Sequence, residues 1–154
     1  MTESSSAFSH LREDRIERLP IFLMEQIIRR YRKMAVRSLH EAEAGISLDQ
    51  WILLKQISEN NGTSQVEIAQ STVKDAPTTT RIIDQLSQKN LIAKQLDPND
   101  RRKYMVFVTL EGKQLIERLL PTVRAYRKIP FQTFSAEDKA NLISLLERMD
   151  QNLM

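Results

Sequence analysis

The sequence predicts a mainly α-helical chain carrying one small β-hairpin. Three observations lead there. Only three glycines and five prolines occur in 154 residues, so few positions break a helix. Apolar residues recur at three- and four-residue spacing through most of the chain, with Ser, Thr or Asp ahead of several of the runs. The exception is "LIAKQL" and "YMVFVT", two short strand-like runs on either side of "DPNDRRK".

Residues 1–7, rich in Ser and short of apolar side chains, are expected to be disordered. Pro20 suits the first turn of a helix. Leu23, Ile27, Ile28, Tyr31, Met34, Ala35 and Leu39 then recur at helical spacing, and Gly45 ends the run. "SLDQ" (Ser47 to Gln50) and "SQVE" (Ser64 to Glu67) are capping boxes, and "SAED" (Ser135 to Asp138) is a shorter variant. The first opens a helix through Trp51, Leu54 and Ile57, stopped by "NNG" at 60–62. The second opens a short helix holding Val66, Ile68 and Ala69.

Asp75 is a good N-cap for the next helix, with Pro77 in its first turn and a core stripe of Thr79, Ile82, Ile83 and Leu86. It should end near Asn90, which tolerates the left-handed cap conformation. After the hairpin, Thr109 caps a long helix carrying Leu115, Ile116, Leu119, Leu120 and Val123. Pro121 falls inside it, so a kink is expected where the Glu117 carbonyl loses its donor. The last helix carries Leu142, Leu145, Leu146, Met149 and Leu153. A helix–turn–helix followed by a hairpin is the winged-helix arrangement, here over residues 47–109.

Composition narrows the class. Apolar content of 41% and charged content of 28% suit a globular domain. No run nears the roughly 18 apolar residues that cross a bilayer. "MTESSSAFSHLRED" lacks the basic-then-apolar pattern of a signal peptide, so a cytoplasmic protein without a membrane partner is expected. Cysteine is absent, which removes disulfides, thiolate metal sites and thiol redox chemistry. Net charge is only +3, but residues 74–103 hold seven Lys and Arg against four Asp. A basic middle on a balanced chain suggests a polyanion footprint; a merely solvated charged surface is the alternative.

The helix "DAPTTTRIIDQL" separates into two faces. With Thr79, Ile82, Ile83 and Leu86 inward, Ala76, Thr78, Thr80, Arg81 and Gln85 remain outside, just after Lys74. Short hydroxyls, one Arg and one Gln suit a helix entering a major groove, where Arg forks onto guanine and Gln pairs with adenine. The helix N-terminus also favours nearby phosphate. The bland alternative is a polar first turn of poor helix propensity. The hairpin loop weighs against it, because a loop that only turns does not need Arg101, Arg102 and Lys103 in a row. Arginine suits a narrow, electronegative minor groove, and an Asp two residues before an Arg can hold the guanidinium extended in a charge-assisted pair.

From "VEIAQS" to "VTLEGKQL" the chain resembles MarR-family transcriptional regulators. The matching pieces are "IA" in the first helix, "APTTTRIIDQL" as recognition helix, "KNLI" entering the hairpin, "DPNDRR" at the wing and "VTLEG" leaving it. The resemblance implies a homodimer on double-stranded DNA with a near-palindromic operator, most often a repressor. Residues 8–45 and 110–154 would supply dimerisation helices around the DNA-binding lobe. Arg102 becomes the minor-groove arginine, Asp100 its orienting partner, and Arg101 and Lys103 flanking phosphate contacts. Two departures are visible: Asn90 and Lys94 stand where the family has Gly and Arg, and Lys94 lacks bidentate geometry. The family often answers to small aromatic or amphipathic acids, for which Phe22, Tyr31, Met34, His40 and Trp51 are candidate linings; core packing explains each equally well.

Size supports the dimer independently. The lobe at 47–109 is too small to bury both the N-terminal stripe and the Leu-rich faces after Thr109. An intramolecular core is the alternative. His40 and Glu43 fall on one helical face, but the only other histidine is His10, so no metal site and no cofactor are expected. No nucleophile–His pair and no phosphate-cradling glycine loop point to an enzyme. Arg29, Lys33 and Arg37 line one helical face that reads as a solvated basic stripe. The competing classes are a winged-helix protein–protein module and a non-specific architectural DNA binder.

Overall fold

Side-chain caps punctuate the helices where the sequence places them. In the computed structural model, which describes residues 15–154, Ser47 and Gln50 form a reciprocal capping box, each backbone N–H donating to the other's side chain at 3.1 Å. Ser64 with Glu67 and Ser135 with Asp138 do the same. The expectation for residues 1–7, the start of the 8–45 region and His10 lie outside the described residues.

The elements run α1 (Pro20–Glu41), α2 (Leu48–Glu59), β1 (Thr63–Ser64), α3 (Gln65–Ser71), α4 (Ala76–Gln88), β2 (Ile92–Leu96), β3 (Tyr104–Val108), α5 (Leu110–Lys128) and α6 (Ala136–Gln151). Short 3-10 turns cover Ile16–Arg18 and Ile129–Phe131. The helix order matches the sequence reading. The expected hairpin is two strands of a three-stranded antiparallel sheet ordered β1-β3-β2. β1 pairs Thr63 with Val106, while β2 pairs Ile92 with Val108 and Leu96 with Tyr104. Two residues are too short to show an alternation, which is why β1 is invisible in the sequence. α1 also stops at Glu41, ahead of Gly45, because Glu43 and Gly45 take left-handed φ values of 48° and 69°. Arg118 of α5 secures that turn by donating to the carbonyls of Ala42 (3.1 Å) and Glu43 (3.4 Å).

The core lies between α2, α4, the sheet and α5. Trp51, Leu54, Ile57, Ile83, Leu86, Ile92, Val106, Leu119 and Val123 are buried there, and only Ala35 and Leu39 of α1 join them fully. The rest of the predicted α1 stripe does not: Ile27 and Ile28 are 56% and 57% exposed, and Leu23 is 43% exposed. Val66 on α3 is likewise exposed. In α6 no residue is buried, and Ile143, Leu145 and Leu146 face outward. α5 continues through Pro121 without ending there.

One junction ties the end of α4 to α5. Asn90, at φ 57°, closes the end of α4 as expected. Thr109 then donates its hydroxyl to the Asn90 carbonyl (2.7 Å) and its backbone N–H to the Leu91 carbonyl (3.1 Å), while its Oγ1 accepts from Gly112 N (3.0 Å). Gly112 packs on Leu91 so closely that a Cβ there would stand 2.1 Å from the Leu91 carbonyl oxygen. That contact explains the glycine of "TLEG". Gly112→Ala should therefore destabilise the fold by about 1–3 kcal/mol through overpacking, read as a lowered midpoint in thermal unfolding by circular dichroism.

Candidate nucleic-acid interface

α4 divides as its sequence requires. Thr79, Ile82, Ile83 and Leu86 are buried, and Ala76, Thr80 and Arg81 are exposed at the N-terminal half. Asp75 caps the helix, accepting from Thr78 N and from Thr78 Oγ1 at 2.8 Å each. These hydrogen bonds hold the Asp75 carboxyl below its ordinary range, the backbone N–H of Thr78 contributing most. Thr78 is thus part of the cap and half-buried, and Thr80 and Arg81 are the freer side chains. Thr80 Oγ1 accepts from Gln65 Nε2 across the helix–turn–helix at 3.3 Å. No signal in the sequence marks Gln65, because its partner lies fifteen residues away.

Two predicted recognition residues have other commitments. Gln85 is half-buried and accepts from Gln50 Nε2 at 2.9 Å, so its amide faces α2 rather than outward. Lys89 extends the same network, donating to the Gly45 carbonyl (2.6 Å) and Gln50 Oε1 (3.3 Å). Lys74 Nζ lies 3.2 Å from Asp49 Oδ2, whose other oxygen accepts from Arg32 Nη2 at 2.6 Å. Partial burial pushes the Asp49 carboxyl up, but the hydrogen bonds and charges of Arg32 and Lys74 outweigh it and hold the group below its ordinary range. Lys94 pairs with Asp84 on α4. In the basic stretch of α1, Arg37 pairs with Glu41 at 2.8 Å, and Arg29 and Lys33 are exposed.

The wing loop is built from turns, and here one expectation needs correcting. Asp97 accepts from Asn99 N (2.8 Å), Lys103 N donates to the Asp100 carbonyl (2.9 Å), and Asp97 N donates to the Lys103 carbonyl (2.9 Å). The Asp100 carboxylate does not hold the Arg102 guanidinium. It accepts from the Arg102 backbone N–H at 3.0 Å and stands 4.0 Å from Lys103 Nζ. A short Asp side chain reaches the N–H two residues on more readily than the end of a long Arg, as in an Asx turn. Arg101 and Arg102 are exposed, and among the described residues neither guanidinium has a hydrogen-bond or ion-pair partner. The loop therefore presents two free guanidiniums on a braced backbone.

The five candidate effector residues do not meet in one cavity of this chain. Phe22 and His40 lie eighteen positions apart on α1, about 27 Å along the axis. Trp51 is 1% exposed in the core, its indole N–H without an acceptor, and Tyr31 packs edge-on against Tyr126 at 5.8 Å. Met34 packs at the margin of the core. Of the five, His40 alone lines a cleft of about 1080 Å³ that has Val36, Leu39, Ile46, Gln50 and Lys89 among its walls. Among the described residues no three His, Asp or Glu side chains gather closely enough to hold a metal ion, and no helix is long and apolar enough to cross a membrane.

A buried-and-bare helix, its partner helix and a braced cationic wing define a winged helix–turn–helix protein. The MarR family model matches residues 46–104, the segment that carries all three features. Over those residues the chain is similar to the MarR family. The repressor NicR of Pseudomonas putida, an HTH-type transcriptional regulator, is 27% identical over 100 residues, covering 65% of this chain but only 63% of NicR. The fold matches BpsR of Bordetella bronchiseptica, a structure on regulation of DNA binding by 6-hydroxynicotinic acid. Its TM-score is 0.79 at 21% identity, over 88% of this chain and 96% of that one. A MarR mutant from E. coli complexed with operator DNA gives a TM-score of 0.75 at 22% identity, over 82% and 90%. At these identities the two structures speak to the fold.

The Asp49 cluster yields a titration test. Because its folded pKa is depressed, its contribution to stability is complete above the ordinary carboxylate range, near pH 4. It is lost as pH falls through the lower folded value. In an NMR titration the Asp49 carboxyl should show its midpoint below that of a model carboxylate, and Arg32→Gln should move the midpoint upward.

Proposed function

We propose that the chain is a sequence-specific, double-stranded DNA-binding transcriptional regulator, acting in the cytoplasm as a homodimeric repressor tuned by a small molecule. The observation that carries it is the pair of unpaired guanidiniums, Arg101 and Arg102, held on the turn-braced loop of the hairpin that follows α4, the helix whose Ala76, Thr80 and Arg81 are exposed. Unpaired cations on an ordered backbone bind a polyanion without first breaking ion pairs. In this reading α4 enters the major groove, with Arg81 and Thr80 reading base edges, and Arg102 reaches the flanking minor groove. Arg101 and Lys103 meet phosphates. Lys74 and Gln85, engaged with Asp49 and Gln50, act as supports for α4. No catalytic role is assigned.

Dimerisation is supported by the apolar surface this chain leaves bare: Ile27 and Ile28 on α1, and Ile143, Leu145 and Leu146 on α6. Two-fold pairing is the commonest way to cover such faces, and it sets two recognition helices against a near-palindromic operator. NicR's name as a repressor supports the direction of regulation. The 6-hydroxynicotinic acid of BpsR supports an effector of similar chemistry, a small aromatic acid. The cleft beside His40 and Lys89 is the place we favour for it, since it joins the end of α1 to α4 through Lys89 and Gln50. An effector there would favour one tilt of the lobe over another by its differential affinity for the two.

Selection from random duplexes with the full chain tests the reading. A specific consensus supports it; duplex binding without one points to a non-specific architectural binder, and no duplex binding to a protein–protein module. On the selected site, Arg102→Ala should cost about 1–3 kcal/mol of binding. Lys103→Ala should weaken all sequences alike and reduce the salt slope by about one. The free chain should sediment at twice 17.9 kDa, and Leu145→Glu should convert it to monomer. A wild-type chain that sediments as a monomer at micromolar concentration would remove the dimer.

A further inference from the structure

Asp49 is the meeting point of three elements. Its Oδ1 accepts from Arg32 Nη2 on α1 at 2.6 Å, and its Oδ2 lies 3.2 Å from Lys74 Nζ, in the turn before α4. Each cation has its own oxygen, so the carboxylate does not turn toward one without leaving the other. Lys74 stands immediately ahead of Asp75, the cap of α4. The turn is in its own right tied to α4, since Thr72 Oγ1 accepts from Lys74 N at 3.2 Å and lies 3.1 Å from Thr79 Oγ1. A push on Lys74 is therefore a push on the start of the recognition helix.

Among the described residues, Arg32 to Asp49 is the only side-chain hydrogen bond from α1 to α2, α3 or α4. Within α1 the remaining ties to the lobe are apolar, through Ala35 and Leu39, and beyond its end Lys89 donates to the Gly45 carbonyl of the following turn at 2.6 Å. Apolar burial is non-directional and tolerates sliding, whereas a charge-assisted hydrogen bond fixes distance and angle. Arg32 also lies one turn beyond Ile28, on the helix that carries part of the exposed apolar face. The strut thus runs from the proposed dimer surface to the recognition helix.

We propose that Asp49 is a positioning residue: with Arg32 and Lys74 it sets the pose of α4 on α1, and so the half-site separation that the dimer accepts. The proposal rests on the dimeric, operator-binding reading above. Two recognition helices reading half-sites one turn apart stand about 34 Å from each other. Over that span a small rotation at each strut misplaces the helices against the grooves, while each lobe still fits a half-site.

The test uses the full chain and the operator it selects from random duplexes, rebuilt with the half-sites moved by one and two base pairs. Asp49→Asn should keep affinity for a single half-site within about twofold. It should narrow the discrimination between the selected spacing and its neighbours by about fivefold or more. Arg32→Gln, which cuts the strut from the other side, should do the same, and it decides the matter if Asp49→Asn does not fold by circular dichroism. Equal loss of affinity at every spacing overturns the proposal, because Asp49 then only supports the local fold. Tighter binding with a steeper salt dependence and an unchanged spacing preference also overturns it, because the carboxylate then only masks two cations. A wild-type chain that selects no spaced half-sites removes the dimeric reading and the proposal together.

Discussion

Burial of Thr79, Ile82, Ile83 and Leu86 holds α4 in the lobe, and the exposed side of that helix has meaning only because the other side is fixed. Full burial of an Ile or Leu side chain is worth about 1.5–3 kcal/mol, so three such residues anchor a thirteen-residue helix that has little intrinsic stability of its own. The threonines at 78–80 are poor helix formers. They are tolerated because Asp75 caps the first turn and Thr79 sits in the core, hydrogen-bonded to the Asp75 carbonyl at 3.0 Å. What is left outside is a short polar surface whose position is dictated by packing behind it.

The same lobe sorts its cations into two kinds. Lys74 and Lys94 are paired with Asp49 and Asp84, with Arg32 reaching Asp49 from α1, and these act between elements. Arg101 and Arg102 are unpaired and project from the wing. The difference follows from the geometry of nearby acids. Asp97 and Asp100 are spent on backbone N–H groups of their own loop, which stiffens the turn and leaves the guanidiniums free. Ordering the loop before binding lowers the entropy still to be lost when a partner arrives. A loop whose acids closed on its arginines would present a nearly neutral tip.

The ends of the chain obey a different constraint. α6 has no buried residue, and α1 buries only its C-terminal half in the chain's own core. An apolar helix face held in water opposes the hydrophobic term that folds the rest of the molecule, which is why these faces argue for a second copy of the chain. The Thr109–Gly112 junction connects this end to the lobe directly: the cap of α5 is hydrogen-bonded to Asn90 and Leu91, just after α4.

Local physics was legible in the sequence. The caps at Ser47, Ser64, Asp75, Thr109 and Ser135 act over two or three residues, and the two faces of α4 follow from a 3.6-residue period. The wing was legible as a cationic loop, but the sequence reading gave the Asp100 carboxylate to the Arg102 guanidinium where the structure gives it to the Arg102 backbone N–H. Tertiary structure decided the rest. It turned Gln85 onto Gln50, thirty-five residues away, and Arg32 onto Asp49, seventeen away. It left Ile27 and Ile28 bare despite their helical spacing. Periodicity reports which residues share a face, but a face is buried only if another element arrives to cover it. A charged side chain is paired or free according to which acid the fold carries within reach, and nothing local in the chain encodes that distance.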